Sequence, residues 1–294
     1  MGKKEKTVGI IGLGLLGGSA ALRLKASGYA THVLGYDVDE EHLRIALDRQ
    51  IIQEVREIHD LCHHADVIVL AIPVDQAVEV AKIVLDHSNS SLVLMDVGST
   101  KEHLCAELAN HPSRDQFVAC HPIAGTEESG PAHANAELFR GKVNIICDQY
   151  DSSPTALSEI QLLIQHLGMS INFMDSHEHD RHIAFVSHMS HISSFVLGET
   201  VLEVEQDEKN IFDLAGSGFE STVRLAKSSP DMWAPIFCEN APNILNVLDA
   251  YISNLGKIRA QIAGKDAEGL RKKMQDVNKI RDVLKGQAIN QKIQ

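Results

Sequence analysis

The sequence predicts an α/β fold, in which a doubly wound sheet is followed by an all-helical C-terminal domain. Short runs rich in Val, Ile and Leu alternate with helical patterns from residue 6 to about residue 175, and strand-like runs nearly vanish after Asp175. Near-continuous apolar runs are typical of parallel strands that are covered on both faces. Alternating strands and helices indicate a doubly wound sheet. We therefore expect an N-terminal domain over residues 1–175 and a helical domain over residues 176–294.

The apolar runs also place the individual elements along the chain. Seven of them predict strands, at Thr7–Ile11, His32–Tyr36, Val67–Ile72, Leu92–Val97, Phe117–Cys120, Val143–Cys147 and Ile171–Met174. Helical patterns between them lie near residues 16–27, 40–49, 76–86, 101–110 and 155–167. In the helical domain the predicted helices are 178–205, 220–228, 231–255 and 257–285. Pro235 and Pro242 predict a kink or a split in the third of these, because proline interrupts a helix interior.

Composition and charge exclude several classes of protein. The 294 residues are 44% hydrophobic, which is too much for a disordered protein. The 27 basic and 40 acidic residues give a net charge of −13, which disfavours a nucleic-acid-binding protein but still allows a local basic pocket for an anionic small molecule. We find no apolar run of the ~20 residues that span a bilayer, and we interpret the N-terminus as mature sequence rather than a signal peptide. The five widely spaced cysteines favour reduced thiols, so we expect a cytoplasmic protein.

The first predicted strand leads directly into a glycine-rich turn, Gly12-x-Gly14-x-x-Gly17, and a helix follows. Gly12 permits a tight turn, Gly14 lets the backbone approach a pyrophosphate, and Gly17 lets the helix pack closely on the strand. The N-terminus of that helix offers free N–H groups and a positive dipole end to phosphates. Asp37, 20 residues beyond Gly17, can accept hydrogen bonds from a ribose and repel a 2′-phosphate. The pattern predicts a Rossmann-type site for NAD rather than NADP.

The candidate cofactor site combines this turn with Asp37 and the end of the third predicted strand. Glycines also serve ordinary turns, so it is the agreement of strand, helix and spaced acid that favours a dinucleotide. The residues of this candidate site are Gly12, Gly14, Leu15, Leu16, Gly17, Asp37, Ile72 and Pro73.

Polar clusters follow two later strands, at residues 96–101 and 120–127. Because the carboxyl ends of parallel strands open toward one crevice, we expect both clusters beside the glycine-rich turn. His121 is the candidate general base, since imidazole titrates near neutral pH, and Ser99 could hydrogen-bond it and hold its tautomer. A buried structural histidine is the alternative interpretation. Cys120 is a poorer candidate nucleophile, because adjacent strand residues point to opposite faces.

The helical domain begins with a histidine-rich segment, residues 175–191, which holds five histidines. We expect His177, His179 and His182 on the helix surface. His188 and His191 lie among apolar residues and are expected to point inward, where each needs a partner or a ligand. A metal pair at these two positions is disfavoured, since no His-Glu-x-x-His motif and no obvious third ligand accompany them.

A second segment of the helical domain, residues 216–233, has the composition of a binding site for an anion. Its Gly-Ser-Gly loop at residues 216–218 lets a ligand or another backbone approach closely. Arg224 can hold a carboxylate with two hydrogen bonds, and Trp233, the only tryptophan, follows nine residues later. An anionic substrate near the dinucleotide crevice is therefore expected.

Together these motifs resemble the prephenate and arogenate dehydrogenase family of tyrosine biosynthesis. The resemblance covers nearly the whole chain and is carried by GLGLLGGS at 12–19, DVGSTK at 96–101, HPIAGTE at 121–127, SHMSH at 187–191 and GSGFESTVRLAKSSPDMW at 216–233. It implies NAD-dependent oxidative decarboxylation of prephenate to 4-hydroxyphenylpyruvate. Arogenate, which would give tyrosine directly, stays open as the substrate.

The resemblance also implies residue roles. His121 would take the hydroxyl proton of the substrate and be oriented by Ser99, Arg224 would bind a substrate carboxylate, and His191 would line the pocket. Other residues expected around the pocket or at its entrance are Gly216, Thr126, Glu127, Asp180, His188 and Trp233. Arg224 would make the pocket locally cationic, with His191 and His121 beside it. Activity should then fall as the pH drops through the titration of His121, near the reference value of about 6.5.

The resemblance implies a homodimer that is joined through the helical domain. We expect no nucleic-acid or membrane partner, and whether tyrosine inhibits the protein stays open. We find no chorismate mutase segment ahead of residue 6 and little chain after the last predicted helix, so a monofunctional dehydrogenase is expected. One alternative is a β-hydroxyacid or imino-acid oxidoreductase, whose families also join a Rossmann domain to helices. Another is a nucleotide-sensing protein without catalysis.

Overall fold

The computed structural model describes residues 6–207 and 215–284. Its strands are β1 Thr7–Ile11, β2 His32–Tyr36, β3 Glu54–Val55, β4 Val67–Leu70, β5 Val93–Asp96, β6 Phe117–Pro122, β7 Val143–Cys147 and β8 Ser170–Met174. They form one sheet in the order β3-β2-β1-β4-β5-β6-β7-β8, and all neighbours are parallel except β6 and β7. Since the strand order turns around between β1 and β4, a crevice forms outside their carboxyl ends.

The helices that alternate with these strands are α1 Leu15–Ala26, α2 Glu40–Asp48, α3 Ile58–His64, α4 Val74–Asp86, α5 Glu102–Leu108 and α6 Pro154–Leu167. Side-chain caps define two of the helix starts. Asp39 accepts a hydrogen bond from the N–H of Glu41 at α2, and Ser153 accepts one from Ala156 at α6. Gly168 follows α6 with a φ of +82°, which suits a left-handed helix end.

All seven predicted strands are present, and their ends lie within two residues of the prediction. The sequence does not predict β3, with two residues, or α3, with seven, because elements this short show no hydrophobic period. It also does not predict the antiparallel pairing of β6 and β7. The direction of a strand is set by the connection that leads to it, and the apolar pattern of the strand does not indicate that direction.

Apolar side chains cover both faces of the sheet, as the near-continuous apolar strands predict. Along β4 the residues alternate between two buried clusters. Val67 and Val69 belong to the cluster on one face, and Ile68 and Leu70 belong to the cluster on the other. The polar residues at the strand ends are therefore held on a rigid, doubly covered scaffold.

Beyond Asp175 the described residues are helical, as predicted. The helices are α7 Ser176–Ile183, α8 Met189–Asp207, α9 Ser217–Val223, α10 Pro230–Glu239, α11 Ala241–Ala263, α12 Ala267–Val277 and α13 Ile280–Leu284. A π-helical turn, Ala184–His188, joins α7 to α8, and a 3-10 turn, Arg224–Lys227, follows α9. The expected split near Pro235 and Pro242 is confirmed, since α10 ends at Glu239 and α11 begins at Ala241.

A single helix over 257–285 is not formed. Instead α11 continues to Ala263, and α12 begins at Ala267; residue 285 lies outside the described residues. By contacts, one compact unit ends at Ile244 and so includes the sheet together with α7 to α10, and a second unit begins at Leu245. Within the described residues no helix is long and apolar enough to cross a membrane. All five cysteines are free thiols, as expected.

Candidate active site

The glycine-rich turn lies at the carboxyl end of β1 and leaves room for a dinucleotide. Gly12 has a φ of +91°, and a Cβ there would lie 2.7 Å from the carbonyl carbon of Ala71. A Cβ on Gly17 would collide with the carbonyl oxygen of Gly12 and lie 3.0 Å from Ile10. Gly14, in contrast, faces open space, with no atom within 4 Å of its Cβ position. The turn therefore packs tightly on the protein side and is open on the side where the pyrophosphate would lie.

Asp37 adjoins this turn from the end of β2. Its Oδ2 accepts a hydrogen bond of 2.6 Å from the N–H of Leu13, and its Oδ1 accepts one of 2.9 Å from Asp39. Leu15 and Leu16 open α1, so their N–H groups have no acceptor within the helix. The acid, the turn and the free N–H groups thus have the arrangement that a bound dinucleotide requires.

Ile72 and Pro73, the remaining predicted cofactor residues, connect β4 to α4. A Cβ on Gly12 would lie 2.8 Å from Cγ2 of Ile72, so Ile72 packs directly on the glycine-rich turn. Pro73 precedes the first residue of α4 and is exposed. Both residues border the crevice between β1 and β4.

His121 is buried near the end of β6, and its hydrogen-bond partner differs from the prediction. Its Nδ1 lies 2.8 Å from Nε2 of His179, and His179 Nδ1 lies 2.7 Å from Oδ1 of Asp180. The expected hydrogen bond from Ser99 to His121 is not formed among the described residues. The placement of His179 on the helix surface was wrong, because its side chain is only 1% exposed.

Asp180 joins α7 to the start of α5. Its Oδ1 accepts a hydrogen bond of 2.8 Å from the N–H of Lys101, and its Oδ2 accepts one of 2.9 Å from the N–H of Glu102. Lys101 is fully buried and forms an ion pair with Asp96, whose Oδ1 also accepts a hydrogen bond of 3.0 Å from the N–H of Cys120. These contacts fix the loop that carries Ser99 against the strand that carries His121.

Burial determines the charge of the site histidines. The pKa of His121 is lowered well below 6.5, first by burial and then by the neighbouring His179, Lys101 and His188. The pKa of His191 is also lowered, mainly by burial. Both imidazoles are therefore neutral at pH 7, so the positive charge expected in the pocket comes from Arg224. Because the pKa of His121 is lowered, we now expect the loss of activity in acid at a pH below 6.5.

Beyond α7, the predicted site residues are joined by contacts between aromatic rings and by the side-chain amide of Asn240. His191 stacks on Trp233, with ring centroids 3.5 Å apart and planes 24° apart. His188, in the π-helical turn, is fully buried, and its Nδ1 lies 3.2 Å from Nδ2 of Asn240. Asn240 also donates a hydrogen bond of 2.7 Å to the backbone oxygen of Asp180. His188 points inward as predicted, whereas His191 is only partly buried.

Arg224, in the segment 216–233, forms an ion pair with Glu127, in the cluster 120–127. The distance between Arg224 Nη1 and Glu127 Oε2 is 2.8 Å. Both side chains are partly exposed. Thr126 is exposed, and its Oγ1 accepts a hydrogen bond of 3.2 Å from the N–H of Glu128. Gly216 directly precedes α9, and no atom lies within 4 Å of the position of a Cβ on it. The structure thus brings Arg224 to Glu127, His191 to Trp233 and His121 to His179.

Comparison with known proteins agrees with this architecture. Residues 20–173 match the family model described as "Prephenate dehydrogenase, nucleotide-binding domain". Residues 175–276 match the model described as "Prephenate dehydrogenase, dimerization domain". The chain belongs to the prephenate dehydrogenase family.

Relatives within this family cover almost the entire chain. The cyclohexadienyl dehydrogenase of Zymomonas mobilis is 32% identical over 282 residues, which is 95% of this chain and 96% of the relative. The prephenate dehydrogenase of Bacillus subtilis is 30% identical over 295 residues, covering 97% of this chain and 77% of the relative. The crystal structure of Aquifex aeolicus prephenate dehydrogenase in complex with hydroxyphenyl propionate and NAD+ is 30% identical, with a TM-score of 0.88, and the match covers 97% of this chain and 100% of that one.

Two residues close to His121, namely His179 and Lys101, have no predicted role in the sequence analysis. The sequence does hold a signal for His179. The buried residues of α7 are Ser176, His179, Asp180 and Ile183, which have the i, i+3, i+4, i+7 spacing of one helix face. A helix start at Ser176 with Ile183 on its inner face would have placed His179 inside. Burial of Lys101 has no such signal, because a lysine at a helix start usually lies at the surface.

Proposed function

We propose that this chain catalyses the NAD-dependent oxidative decarboxylation of prephenate to 4-hydroxyphenylpyruvate and CO₂. The observation that carries the proposal is a buried, neutral His121 at the carboxyl end of β6, in the same sheet as a glycine-rich turn that fits a dinucleotide. A neutral imidazole held at a strand end is suited to accept a proton. Membership of the prephenate dehydrogenase family supports the choice of reaction.

His121 acts as the general base in this proposal. Its Nδ1 is engaged with His179, so Nε2, which makes no hydrogen bond among the described residues, is the atom that takes the hydroxyl proton of the substrate. NAD+, when bound, supplies the acceptor for the hydride. The substrate ring carboxylate leaves as CO₂, and the ring becomes aromatic, which drives the reaction forward. His121→Asn should lower kcat by about 10²–10⁴-fold and leave NAD binding nearly unchanged.

Arg224, His191 and Trp233 form the proposed substrate-binding wall. Arg224 is the charged group that can hold a substrate carboxylate, and it must exchange Glu127 for that carboxylate. The ring of His191, which stacks on the buried Trp233, offers an aromatic surface to a six-membered ring. Arg224→Ala should therefore mainly raise the KM of the substrate.

Asp37 is proposed to select NAD over NADP. Its carboxylate is held beside the glycine-rich turn by the N–H of Leu13, so it lies where an adenosine ribose is expected. A negative charge there repels a 2′-phosphate. Asp37→Ser should reduce the preference for NAD, and an unchanged ratio of kcat/KM for the two cofactors would refute this role.

The substrate is tested directly by following absorbance at 340 nm with NAD+ and either prephenate or arogenate. We expect NADH production from prephenate, and no turnover of prephenate would refute the proposed function. Arogenate is a second candidate substrate, because the Z. mobilis relative is named a cyclohexadienyl dehydrogenase. The same assay with added tyrosine measures inhibition, for which we propose competition with substrate, since tyrosine resembles the product.

We also propose that the chain forms a homodimer through its helices. Among the described residues α8 exposes Val196, Leu202 and Val204, and α11 exposes Ile252 and Leu255. Exposed apolar faces of this kind are typical of protein–protein interfaces. The family model that matches residues 175–276 is named a dimerization domain, which supports the proposal. Light scattering after size-exclusion chromatography gives the mass in solution; the mass of a single chain would refute a dimer.

The free thiols support a cytoplasmic location for this protein. Cys62, Cys105, Cys120 and Cys147 are buried and unpaired, as is usual in a reducing compartment. Fractionation of cells that express the chain tests this proposal, and recovery outside the cytoplasm would refute it.

A further inference from the structure

We propose that His179 is a positioning residue for the base: it holds His121 in the tautomer that accepts a proton, and it links His121 to Asp180, whose negative charge offsets the positive charge that results. This inference rests on the proposed function of His121 and goes beyond it. Through His179, α7 takes part in the proton transfer.

Three buried side chains form a continuous hydrogen-bonded series. His121 Nδ1 lies 2.8 Å from His179 Nε2, and His179 Nδ1 lies 2.7 Å from Asp180 Oδ1. All three residues are less than 10% exposed. Hydrogen bonds in such surroundings are stronger than in water, and a buried polar atom without a partner is costly. The series is therefore a fixed part of the site rather than a chance contact.

The backbone around Asp180 determines the direction of these hydrogen bonds. Both of its carboxylate oxygens accept N–H groups, from Lys101 and Glu102, so Asp180 acts only as an acceptor. His179 must then carry a proton on Nδ1, because an unprotonated nitrogen 2.7 Å from a carboxylate oxygen would be repelled. In neutral His179 the Nε2 atom is an acceptor and takes the Nδ1 proton of His121. This leaves the lone pair of His121 Nε2 free for the substrate.

One proton moves in the transfer step, from the substrate to His121. The bond between oxygen and hydrogen in the substrate hydroxyl breaks, and a new bond forms between that proton and His121 Nε2. His121 becomes an imidazolium, whose Nδ1–H continues to donate to His179, while His179 Nδ1–H continues to donate to the negatively charged Asp180. Nothing is oxidised or reduced in this series. The carboxylate offsets the positive charge that burial would otherwise disfavour.

The opposite proton arrangement inactivates the base. If His179 carried protons on both nitrogens, it would donate to His121 Nδ1, and the proton of neutral His121 would lie on Nε2. The other charged or titratable groups that act on His121 are Lys101 and His188, and both disfavour its protonation.

Substitutions of His179 distinguish a role in positioning His121 from a purely structural role. His179→Leu removes the acceptor, and His179→Gln keeps an acceptor oxygen that can reach Nδ1 of His121. We expect His179→Leu to lower kcat by about 10²-fold, close to the range for losing a general base, with little change in the Kd for NAD+. His179→Gln should restore part of that loss. His182→Leu is the matched control on the exposed face of α7 and should keep the activity of the original chain.

A double-mutant cycle distinguishes an effect through His121 from a structural effect. In the His121→Asn background, His179→Leu should cause no further loss of kcat. An additional loss as large as in the original chain, or full activity of His179→Leu alone, would overturn the proposal.

Nitrogen chemical shifts of the histidine rings provide a readout that needs no substrate. In the ligand-free protein, with His121 assigned by its loss in His121→Asn, we expect a protonated Nδ1 and an unprotonated Nε2. This preference should weaken in His179→Leu; an unchanged tautomer, or a proton on Nε2 in the original chain, would overturn the inference. If the chain does not turn over prephenate, the proposed function fails, and the chemical shifts still decide the role of His179.

Discussion

Arg224 and Glu127, which are 97 residues apart in the sequence, form an ion pair with 2.8 Å between Nη1 and Oε2. The arginine proposed to bind the substrate is therefore already paired with a carboxylate of the protein. A substrate carboxylate must displace Glu127, so this pair opposes binding. Ion pairs between partly exposed groups are weak, because water and salt screen them.

Glu127→Gln should weaken this competition and lower the KM of the substrate. Because exposed ion pairs are weak, we expect a decrease in KM of at most about fivefold. Because exposed pairs are screened by salt, the difference between the two proteins should shrink in 0.5 M NaCl. Glu128→Gln is the matched control, since Glu128 lies next in the chain and its neighbour is His133. An increase in KM for Glu127→Gln would instead show that Glu127 helps to bind the substrate.

The pH dependence of activity should reflect the lowered pKa of His121. The base must be unprotonated, so activity is present above its pKa and is lost as the pH falls through it. An unperturbed histidine would halve kcat/KM at about pH 6.5. Burial, together with His179, Lys101 and His188, lowers this pKa, so we expect the half-maximal point of the acid limb well below pH 6.5. A kcat/KM profile from pH 4.5 to 8 measures it, and a midpoint at or above pH 6.5 would contradict the assignment of His121.

The sheet and the cofactor turn could be predicted because local patterns determine them. The strand at Thr7–Ile11 is an apolar run, and the turn at Gly12 requires a positive φ that only glycine adopts easily. The position of Asp37 beside the turn could be predicted because the spacing within one strand–helix–strand unit is nearly fixed. Each of these features depends on residues close together in the sequence.

The hydrogen-bond partners of the site residues depend on tertiary packing, so they could not be predicted from local sequence patterns. His121 pairs with a residue 58 positions away, and the choice of His179 over Ser99 follows from how α7 packs on α5. Histidine-rich polar segments usually lie at the surface, so composition alone placed His179 there. Burial of Lys101 depends equally on its ion pair with Asp96, which forms because the side chains at the end of β5 and at the start of α5 are both buried.

His188 should make the protein less stable at low pH. Burial lowers its pKa to about 4, against about 6.5 in the unfolded chain. Below pH 6.5 the unfolded state therefore binds more protons, and the free energy of unfolding decreases as the pH falls from about 6.5 to about 4. Between pH 7 and pH 5 the contribution of this one residue is about 2 kcal/mol.

His188→Gln removes this titration, so its free energy of unfolding should differ less between pH 7 and pH 5 than that of the original chain, by about 2 kcal/mol. Urea denaturation at the two pH values measures the difference directly, and any constant cost of the substitution cancels. His182→Gln serves as the control, because His182 is exposed. An undiminished pH dependence in His188→Gln would show that other groups cause the loss of stability in acid.

Gly14 and Gly17 should respond in opposite ways to the same added methyl group. Gly14 has a φ of −66°, which an L-residue adopts without strain, and no protein atom lies within 4 Å of its Cβ position. Gly14→Ala should therefore keep the thermal stability of the ligand-free protein and weaken NAD+ binding, because the methyl group enters the space left for the pyrophosphate. A Cβ on Gly17 would collide with the carbonyl oxygen of Gly12, so Gly17→Ala should destabilise the ligand-free fold by about 1–3 kcal/mol. Thermal unfolding and titration with NAD+ measure both properties for each variant. Unchanged affinity in Gly14→Ala would mean that the dinucleotide does not approach the turn at this point.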